Sequence, residues 1–155
     1  MIVMGRWLLP FVLLLAAPAC GAAPSQDKSK MATTGTDQTA ILKRIGLALP
    51  PSAQVEYADH TAGMDDAARV LLVMSQADWV AFLDGIVRRS PRPPEFADDL
   101  NFAPGPEKQG WNPGSVKGLT TGQVAWGVNQ SEGLNIGFAP ADGGRVQVFL
   151  FWHQT

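Results

Sequence analysis

The sequence predicts an α+β domain: a mainly antiparallel sheet of about five strands with one main helix packed on one face. Three observations carry this. Residues 123–153 hold three short alternating segments separated by turn residues, the signature of neighbouring antiparallel strands. Trp79, Phe82, Leu83, Ile86 and Val87 fall at i, i+3, i+4, i+7 and i+8, one apolar stripe of a helix. Val70 to Met74 is an unbroken apolar run, which suits a strand covered on both faces and central in its sheet.

The folded part starts well inside the chain. Met1 to Arg6 carries one positive side chain, and Trp7 to Ala19 is an uncharged, mostly apolar run. That run is shorter than the roughly 20 residues a membrane-crossing helix needs. It has the length of a signal-peptide core, and Ala17-Pro18-Ala19 supplies the small residues of a cleavage site. Residues 1–19 are therefore expected to be a signal peptide. Cys20, the only cysteine, follows directly, and an unpaired cysteine in an exported chain calls for an explanation.

Ala17-Pro18-Ala19-Cys20 resembles the lipobox of bacterial lipoproteins, departing from it in two places: Ala17 stands where that pattern usually has Leu, and Pro18 stands two before the cysteine. The resemblance implies a diacylated Cys20 as the new N-terminus. Two or more acyl chains hold a protein stably on a membrane, so the expected localisation is exported and membrane-anchored. With Gly21 next, the family's sorting pattern implies an outer membrane facing the periplasm where the organism has one. Residues 20–36, from the lipidated cysteine onward, are small and polar apart from Met31, a composition that cannot offset its ordering entropy. They read as a flexible tether; fifteen such residues span roughly 20 Å. Residues 37–155 are left as one globular domain. A chain cut after Ala19 loses Arg6 and no acid, so its net charge moves from −2 to −3, which argues against nucleic acid as a partner.

Within the domain, Thr36 or Asp37 caps a short helix bearing Ile41, Leu42 and Ile45, which Gly46 and Pro50-Pro51 end. Gln54 to Thr61 alternates and reads as a half-exposed strand, with Val55 and Tyr57 opposed to Glu56 and His60. A turn at 62–66 leads into the Arg69–Met74 strand. Ser75 and Asp78 approximate a capping box for the main helix, Asp84 and Arg88 pair along it, and Pro91 stops it. Residues 90–118 form a long Pro- and Gly-rich loop; loops this long tend to be functional or disordered. Phe96, Leu100, Phe102 and Trp111 argue that part of it packs. Gln123 to Asn129, Leu134 to Ala139 and Arg145 to His153 are the last strands, the final pair joined at Asp142-Gly143-Gly144, a hairpin signal.

Pro51-Ser52-Ala53, a strand with Tyr57, then Gly63, Asp65-Asp66, an apolar strand, and Asp78 with Phe82-Leu83 in a helix resemble a pattern in small bacterial secreted proteins and lipoproteins. It covers about residues 46–87. That group has no assigned activity, so the resemblance supports the fold and implies no function.

Alternation sorts the last three strands by face. Val124, Trp126, Val128, Leu134, Ile136, Phe138, Val146, Val148, Leu150 and Trp152 make a core face for the main helix. The other face carries Ala125, Gly127, Asn135, Gly137, Gln147, Phe149, Phe151 and His153. There the aromatics fold over the glycines, or the 90–118 segment covers them with Trp111, or the face stays open as a shallow apolar trough. In the last case Phe149 and Phe151 form the floor beside Gly127 and Gly137, and Asn135, Gln147 and His153 the polar rim. Exposed apolar patches of this kind mark interaction sites.

Catalytic and metal motifs are missing from the sequence. His60 with Asp59, Asp65 and Asp66 lacks the alternate acids and terminal Glu of a calcium loop and reads as a solvated acidic turn with an exposed histidine. Neither G-x-S-x-G nor H-E-x-x-H occurs, and no cofactor is implied. The expected function is a non-enzymatic, membrane-tethered binding or accessory module of the cell envelope, acting on an envelope protein. The alternative is a carrier or sensor of a small apolar envelope ligand with the 90–118 loop as lid, and a small hydrolase using His60 and an Asp comes third.

Overall fold

The computed structural model describes residues 37–64, 66–98, 105–127 and 130–154. The expected signal peptide, Cys20 and the tether lie outside the described residues, as do Asp65, Leu100, Phe102 and Val128. The order is α1 (Gln38–Ile45), β1 (Gln54–Thr61), β2 (Ala67–Ser75), α2 (Gln76–Arg89), β3 (Glu95–Ala97), β4 (Thr120–Trp126), β5 (Glu132–Ala141) and β6 (Arg145–Gln154). The strands form one antiparallel sheet in the order β1-β2-β6-β5-β4-β3. The fold is thus α+β, with six strands rather than five. The extra one, β3, lies in the segment read as loop and pairs Phe96 with Gly122. β2 is interior but second from the edge, between β1 and β6.

Both helices lie on the core face. Asp37 caps α1 by accepting from Thr39 N at 2.9 Å, and Gly46 ends it at φ +73°, a left-handed conformation that suits glycine. Ser75 caps α2, accepting from Asp78 N at 3.2 Å. The Asp78 carboxylate does not accept from Ser75 N as a capping box requires. It accepts from Ser52 N at 3.0 Å, while Ser52 Oγ accepts from Ser75 N at 2.9 Å. The Pro51-Ser52 turn is therefore stitched to the start of α2, the physical link between two separated parts of the 46–87 pattern. Asp84 and Arg88 pair at 2.6 Å on the outside of α2.

The core between helices and sheet contains Ile41, Ile45, Trp79, Phe82 and Ile86 against Val70, Leu72, Met74, Val124, Trp126, Leu134, Ile136, Val148, Leu150 and Trp152. Phe138 packs at its margin between Trp79 and Phe96, with ring centroids 4.8 and 5.9 Å apart. The assignment by alternation thus holds for every described residue of the core face.

β1 departs from simple alternation. Val55 pairs with Leu72 and Tyr57 with Leu71, leaving Glu56 as the extra residue of a bulge. A bulge puts two residues opposite one, so Val55 joins the helix-side core while Tyr57 turns to the other face. It also fixes the tip of the strand: Ala58 lies on the helix side, and Asp59 follows Tyr57 to the second face.

A second, smaller core covers that face, built from Trp111, Leu119, Ala139 and Phe149 with Tyr57, Leu71, Val116 and Phe151 packed on it. The long segment supplies the cover. Lys108 and Trp111 exchange backbone hydrogen bonds at 2.9 and 2.8 Å, closing a two-residue turn in which Gly110 takes φ +82°, where a side chain would be strained. Asn112 then caps a short 3-10 turn at Pro113–Ser115.

Candidate functional site

The second face is arranged in rows across the sheet. Tyr57, Leu71, Phe149, Gly137 and Thr121 are successive partners in one row; Asp59, Arg69, Phe151, Asn135 and Gln123 form the next; Thr61, Ala67, His153, Gly133 and Ala125 the last. The 105–119 segment lies over the first row. Trp111 is fully buried and meets the Phe149 ring edge-on at 5.3 Å and Tyr57 at 6.0 Å. Phe149 is only 2% exposed. Of the arrangements open to the sequence, the structure has the covered one at Phe149: an open trough there would leave two large aromatic surfaces in water, and the segment removes them.

The glycines expected beside the floor and the expected rim residues scatter. Gly127 lies beyond β4 with φ +77°, and a Cβ there would meet Glu132 rather than either phenylalanine. Gly137 pairs with Phe149. Asn135 is buried and accepts from Gln123 Nε2 at 2.8 Å. Gln147 sits half-buried between Val73 and Ala139. The glycine that matters for His153 is Gly133, whose Cβ would fall 2.5 Å from His153 Nε2. That ring can lie flat on the sheet because its partner has no side chain.

At the other end of the face the cover is partial: Gly105 packs on the Phe151 ring, so close that a Cβ there would fall 2.8 Å from it, and beyond it a cavity remains. Thr61, Ala67, Arg69, Pro106, Lys108, Phe151, His153 and Gln154 line this cavity of about 460 Å³, within the usual size range of small-ligand pockets. Phe151 and His153 stack at 5.3 Å with 27° between planes. Arg69 lies over the Phe151 ring at 5.0 Å, a cation–π arrangement. Arg69 is 4% exposed, and its Nε is buried with no hydrogen-bond partner among the described residues. Its Nη1 reaches Asp59 Oδ2 at 3.5 Å, long for a charge-assisted hydrogen bond. The same carboxylate oxygen accepts from Lys108 Nζ at 2.8 Å. One acid thus answers two cations. Lys108 is carried by the turn that Trp111 anchors, so the packing of the second core positions one wall of this pocket.

On the helix side of the same strand ends, Asp66, expected from sequence to be solvated with the rest of its turn, is instead enclosed. Asp66 is buried, with Arg44 Nη2 at 2.6 Å from one carboxylate oxygen and His60 Nε2 at 2.6 Å from the other. Burial pushes the Asp66 carboxyl up, but the hydrogen bonds and charges of Arg44 and His60 outweigh it and hold the group below its ordinary value. Arg44 also lies over Trp152 at 5.2 Å. This triad ties α1 to the ends of β1, β2 and β6. Among the described residues it recruits no third metal-ligating side chain.

Comparison with protein-family models, with curated proteins and with solved structures gives no match.

Proposed function

We propose that this chain is a non-enzymatic binding module of the cell envelope, tethered through a lipidated Cys20, and that its recognition site is the Arg69–Phe151–His153 pocket. One observation carries the placement of the site: a preformed cavity sits beside a buried guanidinium whose hydrogen bonding is incomplete. Buried polar groups are nearly always satisfied, and an unsatisfied one calls for an explanation. The tether reading rests on the residues around Cys20 and on the small polar stretch after it.

The size of the cavity also favours the second reading, a carrier or sensor of a small envelope ligand. The wall chemistry changes that ligand from purely apolar to one with an apolar body and a polar end.

The test is to fractionate cells expressing the full chain and its variants. Wild type is expected in the membrane fraction with an acylated Cys20, and Cys20→Ser in the soluble fraction. Phe151→Ser is expected to weaken binding of any partner recovered with the membrane form, and Val80→Ser, exposed on α2, to leave it unchanged. A soluble wild type with an unmodified cysteine overturns the tether. Equal binding by the two serine variants overturns the site.

A further inference from the structure

The geometry points to a carboxylate with a flat apolar body as the ligand of this pocket, an inference that rests on the pocket being the recognition site. Three features converge on one end of the cavity. Arg69 contributes a guanidinium that is buried to 5% side-chain exposure and has an unpartnered Nε. Lys108 contributes an ammonium, 41% exposed, held over the cavity by Asp59 and by Thr61 Oγ1 at 3.4 Å. Among the described residues Asp59 is the one acid in contact with either, so these three side chains together carry a formal charge of +1. A buried charge is costly unless paired and hydrogen-bonded, and a monoanion supplies what this cluster lacks.

Charge and shape together select the class. A carboxylate brings one negative charge and a planar pair of acceptors, which suits a guanidinium fork. A phosphate dianion would bring a second charge against Asp59. The rest of the lining is the flat Phe151–His153 stack with the small apolar Ala67 and Pro106, and Gln154 as a polar edge. It fits an aromatic or similarly flat body, placed by its acid group at Arg69 and Lys108. Such a carboxylate can be a free acid or the C-terminus of a polypeptide ending in an aromatic residue.

The experiment is amide-resolved NMR titration of the full chain, purified from membranes in detergent. Benzoate is the free acid and N-acetylphenylalanine stands for the polypeptide end, with benzamide and N-acetylphenylalanine amide as uncharged counterparts and inorganic phosphate as the non-carboxylate anion. Saturable shifts at Arg69, Phe151 and His153 with either acid, and tighter binding than its amide, support the assignment; the stronger acid identifies the source. Lys108→Gln, which removes a cation and frees Asp59 to pair with Arg69, should weaken binding about tenfold. Arg69→Lys keeps the charge and loses the fork, and should narrow the preference for acid over amide. Equal binding of acids and amides, tighter binding of phosphate, or shifts confined to other residues overturns the carboxylate. No saturation by either acid, while a membrane partner is still lost on Phe151→Ser, overturns it too but leaves the recognition site standing. Loss of both results overturns the reading beneath it.

Discussion

Replacing Trp111 by alanine removes the residue on which the second core depends. The indole is fully buried against Phe149 and Tyr57. A buried Trp withdraws about 150–250 Å² from water, and at about 25 cal/mol per Å² this is roughly 4–6 kcal/mol. Two corrections lower it. The denatured chain already buries part of that surface, and a surface segment can sink into the space left behind more readily than a strand can. We expect a loss of about 3–4 kcal/mol, large against the 5–15 kcal/mol of a typical domain. Urea unfolding would show the midpoint falling with the slope unchanged. Amide exchange adds the local signature: protection should drop first across residues 105–119, with α2 and β2 holding until global unfolding. The opened Phe149 row should also bind a hydrophobic dye that wild type does not. A loss under about 1 kcal/mol would refute the second core as an energetic unit, since no smaller value fits an indole buried on all sides.

Further expectations follow from the same contacts. Asp66→Asn should cost about 1–3 kcal/mol by leaving Arg44 and His60 without their carboxylate. Because the Asp66 carboxyl is held below its ordinary value, its contribution is present above about pH 4 and fades as pH falls through the folded value. The variant's stability should therefore fall less steeply than wild type's below about pH 4, as denaturant titrations at several pH values would show. Gly122→Ala should cost about 1–3 kcal/mol and detach β3, because the new Cβ would meet both the Phe96 ring and the Glu95 carbonyl, the latter at 2.8 Å; exchange at Glu95–Ala97 reads this out. Ser75→Ala removes the cap of α2 and should cost about 1 kcal/mol by thermal denaturation.

Much of the fold was legible because its periodicities are unmixed. In β5 and β6, Leu134, Ile136, Val148, Leu150 and Trp152 sit on strict alternation, and the α2 stripe matches the surface they make. Other features were hidden for physical reasons. β3 is three residues long and follows Pro91, Pro93 and Pro94, too short for alternation to register; its pairing with β4 is a tertiary fact. The bulge at Glu56 sends Val55 and Tyr57 to opposite faces, and nothing in Gln54–Thr61 distinguishes it from a regular strand. For the site, Phe151 and His153 were on the correct face, but Gly127 was placed by continuing β4 past the point where its backbone turns. The charged groups that line the pocket, Arg69 and Lys108, gave no signal. Arg69 opens an apolar strand and looks like a flanking charge, and only the strand order sets it beside Phe151. The Asp66–His60–Arg44 triad likewise needs α1 folded back over the sheet end before its members meet.

The central claim is that this domain, held at the membrane, recognises its ligand at the Arg69–Phe151–His153 end of the second face. A photocrosslinking residue at Gln154, which lines that pocket, compared with one at Val80 on the opposite, helix-covered side, tests it most directly in living cells. The account predicts a discrete adduct from position 154 that is lost on Cys20→Ser and is competed by Phe151→Ser, and none from position 80. Adducts of equal yield from both positions, or an adduct from position 154 indifferent to Phe151, would contradict it.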